Sequence, residues 1–191
     1  MKVITLSQQD FVKKCQSLAA TINNTPDVVV GIAQGGVHVM NAIREAKFFS
    51  GSSYYKAHLE VPARLKKQKS KLSPVLKRLP TYMANSLRKL EIKYSQRRLK
   101  HLDLAKLTNI NVRLDLFEDQ SNTPQHILII DDAIDTGKTM FVVKNRIQQM
   151  FPNAQIEIAV LTWTINTAIV QPDYYLYKNV LIRFPWSLDY E

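Results

Sequence analysis

Two short stretches of this chain share one pattern. Val28-Val29-Val30-Gly31-Ile32 is apolar throughout and runs into Ala33-Gln34-Gly35-Gly36; Ile127-Leu128-Ile129-Ile130 runs into Asp131-Asp132-Ala133-Ile134-Asp135-Thr136-Gly137. A wholly apolar run of four or five residues ended by a glycine-bearing turn marks a strand covered on both faces. Helical spacing resumes after each turn, from Val37 to Lys47 and from about Gly137 to Met150, where Pro152-Asn153 stops it. Ile156–Thr162 and Val180–Phe184 read as further strands. Ahead of the first strand, Phe11, Cys15, Leu18, Ala19 and Ile22 keep helical spacing, with Ser7 placed as N-cap and Asp10 three residues on. Strand, turn and helix repeated in this way predict an α/β fold, a parallel sheet with helices on both faces.

At 191 residues the chain suits a single domain. A lone cysteine, Cys15, excludes an internal disulfide framework and fits a reducing compartment; its place in an apolar-periodic segment makes it a core residue. No run of 18 apolar residues is present, and Met1–Asp10 lacks a signal-peptide core, so a cytoplasmic location is expected.

The net charge of +10 is unevenly spread. Between Lys56 and Arg113 stand 16 Lys or Arg against Glu60, Glu91 and Asp103, whereas the rest of the chain is slightly acidic. This belongs to an insertion, about 51–122, that interrupts the alternation of strands and helices. It holds the run Arg64-Leu65-Lys66-Lys67-Gln68-Lys69-Ser70-Lys71, then Pro74 and Pro80. From Thr81, the apolar residues Met83, Leu87, Leu90 and Tyr94 predict an amphipathic helix whose other face carries Arg88, Lys89, Lys93, Arg97 and Arg98. Such a stripe covers the sheet or a partner subunit, which leaves a homodimer open, and the charge suits nucleic acid.

The turn after Ile130 carries the chemistry. Gly137-Lys138-Thr139 has the ending of a P-loop, but the glycine required five residues before Gly137 is Asp132, so the ATPase reading fails. Ligands of open α/β sheets bind at the carboxyl ends of strands. The amides of Asp135 to Thr139 open a helix, where a phosphate is welcome. Gly137 allows close approach, and Thr136 and Thr139 add hydroxyls. Asp131 and Asp132, with side chains expected on opposite faces, suit two vicinal hydroxyls or a hydrated Mg²⁺. A ribose 5-phosphate has these features.

The stretch Ile127-Leu128-Ile129-Ile130-Asp131-Asp132-Ala133-Ile134-Asp135-Thr136-Gly137-Lys138-Thr139 resembles the phosphoribosyl-diphosphate (PRPP) signature of the type I phosphoribosyltransferases. Ala133 is smaller than the aliphatic residue usual there. The resemblance implies a Rossmann-like sheet. It implies a glycosyltransferase that moves the 5-phosphoribosyl group from PRPP to a nucleobase with release of pyrophosphate and Mg²⁺ as cofactor. Asp131 and Asp132 would hold the ribose hydroxyls, and Asp135, Thr136, Gly137, Lys138 and Thr139 the 5′-phosphate. Ala33-Gln34-Gly35-Gly36 matches the pyrophosphate loop, with Gln34 where relatives carry Arg or Lys. Arg64, Lys66 and Lys67 stand where the family's closing loop reaches the pyrophosphate.

Asp135 occupies the position that is often Asp in 6-oxopurine enzymes, where it faces the purine N7 as the catalytic residue. The tail, about 171–191, resembles the hypoxanthine and xanthine-guanine branch, which points to purine salvage and nucleotide metabolism. There an acid at the place of Asp189 helps hold the metal, so the implied metal set is Asp131, Asp132 and Asp189. Two departures stand out. Thr162-Trp163-Thr164-Ile165-Asn166 contains no lysine to read the purine O6, and Leu181 and Ile182 replace the stacking aromatic ring. Trp163, Leu181 and Ile182 are the base-binding candidates. The rival reading is a binding or regulatory protein of this fold that recognises the nucleotide without transfer and uses its basic segment on nucleic acid.

Overall fold

A computed structural model of the chain describes residues 1–60, 110–115 and 123–187, together with Leu90, Ile92, Tyr94, Gln96, Arg97, Leu99, Leu104 and Leu107. The strands are β1 (Lys2–Thr5), β2 (Val28–Ile32), β3 (Ser53–Leu59), β4 (Val112–Asp115), β5 (His126–Ile134), β6 (Gln155–Trp163), β7 (Tyr174–Lys178) and β8 (Val180–Arg183). Three long helices are α1 (Gln8–Ala19), α2 (Gly35–Glu45) and α3 (Lys138–Met150). Arg64, Lys66, Lys67, Asp189 and the stripe residues Met83 and Leu87 lie outside the described residues.

Six strands form the main sheet in the order β4-β3-β2-β5-β6-β7. Only β4 runs antiparallel to its neighbour; the others pair in parallel. The chain moves outward from β2 to β3, then returns to β5 on the other side of β2. That reversal makes the carboxyl ends of β2 and β5 the switch point of the sheet, where this architecture opens a crevice.

Strand residues alternate between two cores. Val29, Leu128, Ile130, Ala159 and Leu161 pack with Phe11, Cys15 and Leu18 of α1 and Val39, Met40 and Ile43 of α2. Val28, Val30, Ile32, Ile127, Ile129, Ile158 and Val160 pack on the opposite face with Met140, Val143 and Ile147 of α3. Double-sided burial explains why β2 and β5 are apolar at every position. The Ser7 hydroxyl accepts the Asp10 N–H at 3.1 Å and starts α1 as its spacing predicts. Burial pushes the Cys15 thiol up to about 12, consistent with an inert core residue.

β1 and β8 form a separate two-stranded parallel sheet, with Lys2 opposite Val180 and Thr5 opposite Arg183. It is tied to the main sheet where the Thr162 hydroxyl donates to the Val180 carbonyl at 2.6 Å. Trp186 stacks on Phe184 at 5.0 Å and on His38 at 4.3 Å, and meets Phe11 edge-on at 4.8 Å. These rings fasten the chain's last described residues to α1 and α2.

Two features of the middle segment differ from the sequence expectation. Its ends, β3 and β4, are strands of the main sheet. Helical spacing predicts a face, including Leu90 and Tyr94, that covers the sheet or a partner subunit; within this chain these two are 61% and 63% exposed and do not cover the sheet, while Ile92 is buried. Leu90 and Tyr94 lie four apart on one helical face, and Ile92 lies on the other. No helix among the described residues is long and apolar enough to cross a membrane.

At the amino ends of the parallel strands a polar cluster replaces apolar packing. His126 Nε2 lies 2.6 Å from Glu157 Oε2, both side chains being largely buried, and the Tyr174 hydroxyl donates to Glu157 Oε1 at 3.3 Å. The Asp27 carboxylate accepts the Gln125 and His126 N–H groups at 2.8 and 2.9 Å, which holds its pKa below the ordinary value. We expect Glu157→Gln to cost about 1–3 kcal/mol by weakening a buried charge-assisted bond. Combined with His126→Asn it should show clear non-additivity in a urea double-mutant cycle. At about 3.3 Å per residue His126 is roughly 16 Å along β5 from Asp131, so ligand binding at that end should not change.

Candidate active site

The crevice is built from two turns that touch. After β2, Ala33 and Gln34 are joined by a cis peptide bond and α2 begins at Gly35. After β5, the chain turns through Asp135 and Thr136 to Gly137 and enters α3. A Cβ on Gly36 would lie 2.2 Å from the Ile130 carbonyl oxygen, and one on Gly35 would lie 2.2 Å from the Asp132 carboxyl carbon. At 36 the obstacle is backbone and only glycine permits the approach; at 35 a side chain would displace the Asp132 carboxyl. The two loops singled out from the sequence are therefore brought together, about a hundred residues apart in the chain and in contact in space.

Neither helix that opens on the crevice has a side-chain cap. Gln34 precedes α2 without a capping bond, and Gly137 precedes α3 in a left-handed conformation with φ of 78°. Both helix starts carry the positive end of the helix dipole; at α2 the Gly36 N–H is taken by the Asp131 carboxyl, whereas Gly137 gives α3 no side-chain cap. Gly137 also abuts the next loop, since a Cβ there would lie 2.9 Å from the Val170 nitrogen. That loop is bonded to the turn on both sides: the Thr164 N–H donates to the Ile134 carbonyl at 2.8 Å, and the Ile169 N–H to the Thr136 carbonyl at 3.1 Å. Asp135 and Thr139 are exposed, Thr136 and Lys138 half-buried.

Asp131 and Asp132 sit beneath the two turns, and their arrangement departs from the sequence expectation. Strand alternation predicts side chains on opposite faces; instead the two carboxyls interact directly, and Asp131 Oδ1 also accepts the Asp132 N–H at 2.9 Å. Burial pushes the Asp131 carboxyl well above the ordinary carboxylate range, and the neighbouring Asp132 charge pushes it further. The Asp132 and Gly36 N–H groups pull partly the other way. Asp132 is also raised, chiefly by burial, with a contribution from the Asp135 charge and against a hydrogen bond from Asp131. Two adjacent acids that resist full ionisation suit a ligand that brings hydroxyl donors or positive charge.

The described residues contain no group of three His, Cys, Asp or Glu side chains able to cage a metal. Mg²⁺ commonly uses one or two carboxylates and takes its other oxygens from water and a phosphate ligand. The Asp131–Asp132 pair fits that partial role.

The base-binding candidates fall in different places. Trp163 is buried at the end of β6 on the α3 face, edge-on to Tyr175 at 5.6 Å with Lys178 Nζ 4.1 Å from its ring centre. Its Nε1 has no hydrogen-bond partner among the described residues. Ile182 is buried in the α1–α2 core, whereas Leu181 faces the other side of β8 and packs with Ile165 and Ile92. The contact between Ile92 and the crevice side of β8 was not foreseen from the sequence, because the stripe through Leu90 and Tyr94 is the stronger helical signal.

The pH dependence of stability follows from Asp131. Its folded pKa lies above the ordinary 3.8, so the unfolded chain releases this proton first as pH rises. The contribution to stability is full below the ordinary value and is lost as pH rises through the folded one. We expect Asp131→Asn to stabilise the ligand-free protein at neutral pH by about 0.5–2 kcal/mol and to flatten its pH profile, while weakening ligand binding at the crevice. Urea melts across pH with and without ligand measure both effects.

No protein-family model matches the sequence, and no curated protein matches it. Solved structures do. A purine phosphoribosyltransferase from Pyrococcus horikoshii superposes with a TM-score of 0.60 at 20% identity, covering 98% of this chain and 95% of that one. A xanthine-guanine-hypoxanthine phosphoribosyltransferase from Helicobacter pylori gives 0.61 at 14% identity with the same coverage. A hypothetical protein from Neisseria gonorrhoeae with bound ppGpp gives 0.53 at 13% identity, covering 97% of this chain and 89% of that one. The chain has the fold of the purine phosphoribosyltransferases.

Proposed function

We propose that this protein is a phosphoribosyltransferase that moves the 5-phosphoribosyl group of PRPP to a purine base and releases pyrophosphate. The observation that carries this reading is the meeting of two glycine turns, each opening a helix without a side-chain cap, over a pair of adjacent carboxyls. PRPP has an anionic group at each end of a ribose diol, and each part has a counterpart here. The 5′-phosphate lies on the amides of Asp135 to Thr139, with the Thr136 and Thr139 hydroxyls and Lys138 beside it. The diol hydroxyls donate to Asp131 and Asp132. The diphosphate lies against the Ala33-Gln34-Gly35-Gly36 turn and the start of α2. The names of the fold neighbours, and the ppGpp bound to one of them, support a purine as the base.

In transfer, a base nitrogen bonds to ribose C1′ as the bond from C1′ to the diphosphate oxygen breaks, and the electron pair leaves with the diphosphate. Positive charge develops on the ribose ring near Asp131 and Asp132. Negative charge grows on the diphosphate, where preorganised N–H donors stabilise the transition state. Gln34 contributes no charge there, so the cations Arg64, Lys66 and Lys67 are proposed to supply it. Mg²⁺, held by Asp131, Asp132 and ligand oxygens, with Asp189 as a proposed further ligand, would neutralise charge on the diphosphate. Asp135, exposed at the start of the turn, accepts or returns the proton of the base.

The test is pyrophosphate release from PRPP and Mg²⁺ with a panel of bases, in which 6-oxopurines should be consumed fastest. Ligand binding without release for any base would leave the binding-protein reading. In that case submicromolar, steeply salt-dependent affinity for RNA or DNA should accompany it. Asp135→Asn should slow turnover by about 10²–10⁴-fold while PRPP affinity stays near that of the parent; unchanged turnover would exclude the proton-transfer role. Neutralising Arg64, Lys66 and Lys67 should raise the PRPP concentration needed and slow transfer. Neutralising Arg88, Lys89, Lys93, Arg97 and Arg98 should leave transfer nearly intact.

A further inference from the structure

The edge of the main sheet borders a cavity that is separate from the crevice. β4 is the edge strand and lies three strands from β5, roughly 14 Å across the sheet. Between β4 and α3 lies a cavity of about 330 Å³, a size that admits a small organic ligand. Val142, Asn145, Arg146 and Gln149 line it from α3. Their spacing of three, four and seven residues puts them on one helical face. Residues 110–113 line it from β4 and its approach, and Glu60 from the end of β3. No residue of the two crevice turns lies in its wall.

The wall is equipped for a polar ligand. The Glu60 N–H donates to the Asn111 carbonyl at 3.0 Å, and Val112 stands opposite Leu59 in the register. Bonded and non-bonded pairs alternate in an antiparallel ladder, so Val112 turns its own N–H and carbonyl away from β3, to the outer edge. Arg113, with Nε 3.3 Å from Asp115 Oδ1, and Arg146 bring two guanidiniums. Among the described residues, no hydrogen bond or ion pair engages the Asn145, Arg146 or Gln149 side chains. Val112 and the buried Val142 add an apolar surface. Glu60 is the one acid of this wall among the described residues. It pairs with Asn111, whereas Arg113 pairs with His58, two residues and about 7 Å further along β3.

These features select a ligand. A bare anion would leave Glu60 opposing it and the carboxamides idle, and a cation would meet two guanidiniums. An oxyanion at the arginine end, an N–H donor at the Glu60 end and a ring against the valines satisfy every part. We propose that the cavity between β4 and α3 is a second ligand site, which takes a nucleoside monophosphate whose base carries an amino group. The phosphate lies on Arg113 and Arg146, the ring on Val112 and Val142, and the amino group donates to Glu60. The site does not depend on the phosphoribosyltransferase reading, because no crevice residue takes part in it.

Calorimetric titration of the full chain with CMP, UMP, GMP and inorganic phosphate tests it. CMP is the probe of the cavity, since the crevice reading expects purines. One CMP should bind per chain, more tightly than UMP or phosphate. Arg146→Glu should weaken CMP about 10–100-fold, the scale of a lost hydrogen bond to a charged group. Glu60→Gln should bring CMP to the level of UMP and leave UMP unchanged. Lys13→Glu makes the same charge change on exposed α1, across the sheet from α3, and should leave CMP affinity as it is. Thr139→Glu places a carboxylate in the turn after β5 and should also spare CMP. GMP weakened by Thr139→Glu with CMP retained is the pattern of two sites; GMP unaffected there removes the crevice reading and leaves this one standing. No CMP binding, CMP affinity unchanged in Arg146→Glu, an equal loss in Lys13→Glu, phosphate bound as tightly as CMP, or CMP lost in Thr139→Glu overturns the proposal.

Discussion

The crevice depends on the close approach of Gly36 to the end of β5. Its backbone lies so near the Ile130 carbonyl that no side chain fits between them. Because β2 and β5 are hydrogen-bonded neighbours, the turns that follow them are forced to the same place, and glycine at 35 and 36 lets them come into contact. The Gly36 N–H then reaches the Asp131 carboxyl, and Asp132 fills the space that a side chain at 35 would need. The raised pKa values of both acids follow from that crowding. Helix starts and proton-retaining carboxyls coexist here because the Gly36 N–H turns to Asp131, while α3 begins after Gly137 with no side-chain cap.

Much of the frame is legible in residues. Val28–Ile32 and Ile127–Ile130 are apolar at every position because both faces of each strand are covered, and no other environment tolerates that run. Ser7 and Asp10 announce the start of α1, and the glycine turns mark the ends of β2 and β5. The strands that escaped notice are of another kind. β3 (Ser-Tyr-Tyr-Lys-Ala-His-Leu) and β7 (Tyr-Tyr-Leu-Tyr-Lys) mix rings with charges because they lie toward the margins of the sheet, where half-exposed tyrosines replace buried aliphatics. Four-residue β1 and β4 are too short for a period to register.

The candidate site is legible in composition but not in arrangement. Thirteen consecutive positions point to the turn after β5, yet strand alternation alone misplaces the Asp131 and Asp132 side chains. Alternation assumes a regular pleat, and the close packing of the Gly35–Gly36 backbone decides where a carboxyl can go. The inward turn of Ile92 was hidden for a similar reason. Helical spacing identifies the more apolar face, whereas burial is decided by which face meets the rest of the protein. Trp163 is the plainest case of a position whose residue type says little: a ring at the carboxyl end of β6 lies under Lys178, on the α3 side of the sheet.

The pairing of β1 with β8 has a consequence for the order of assembly. Thr5 and Arg183, bonded across this small sheet, are 178 residues apart in sequence. Such distant segments meet most readily once the main sheet holds the two ends near each other, so we expect their pairing to form late. The turn after β5, by contrast, needs only β5 and its immediate successors. The chain is thus expected to mature in two stages, the main sheet with its β2–β5 switch point first and the small sheet that joins the two ends of the described chain last.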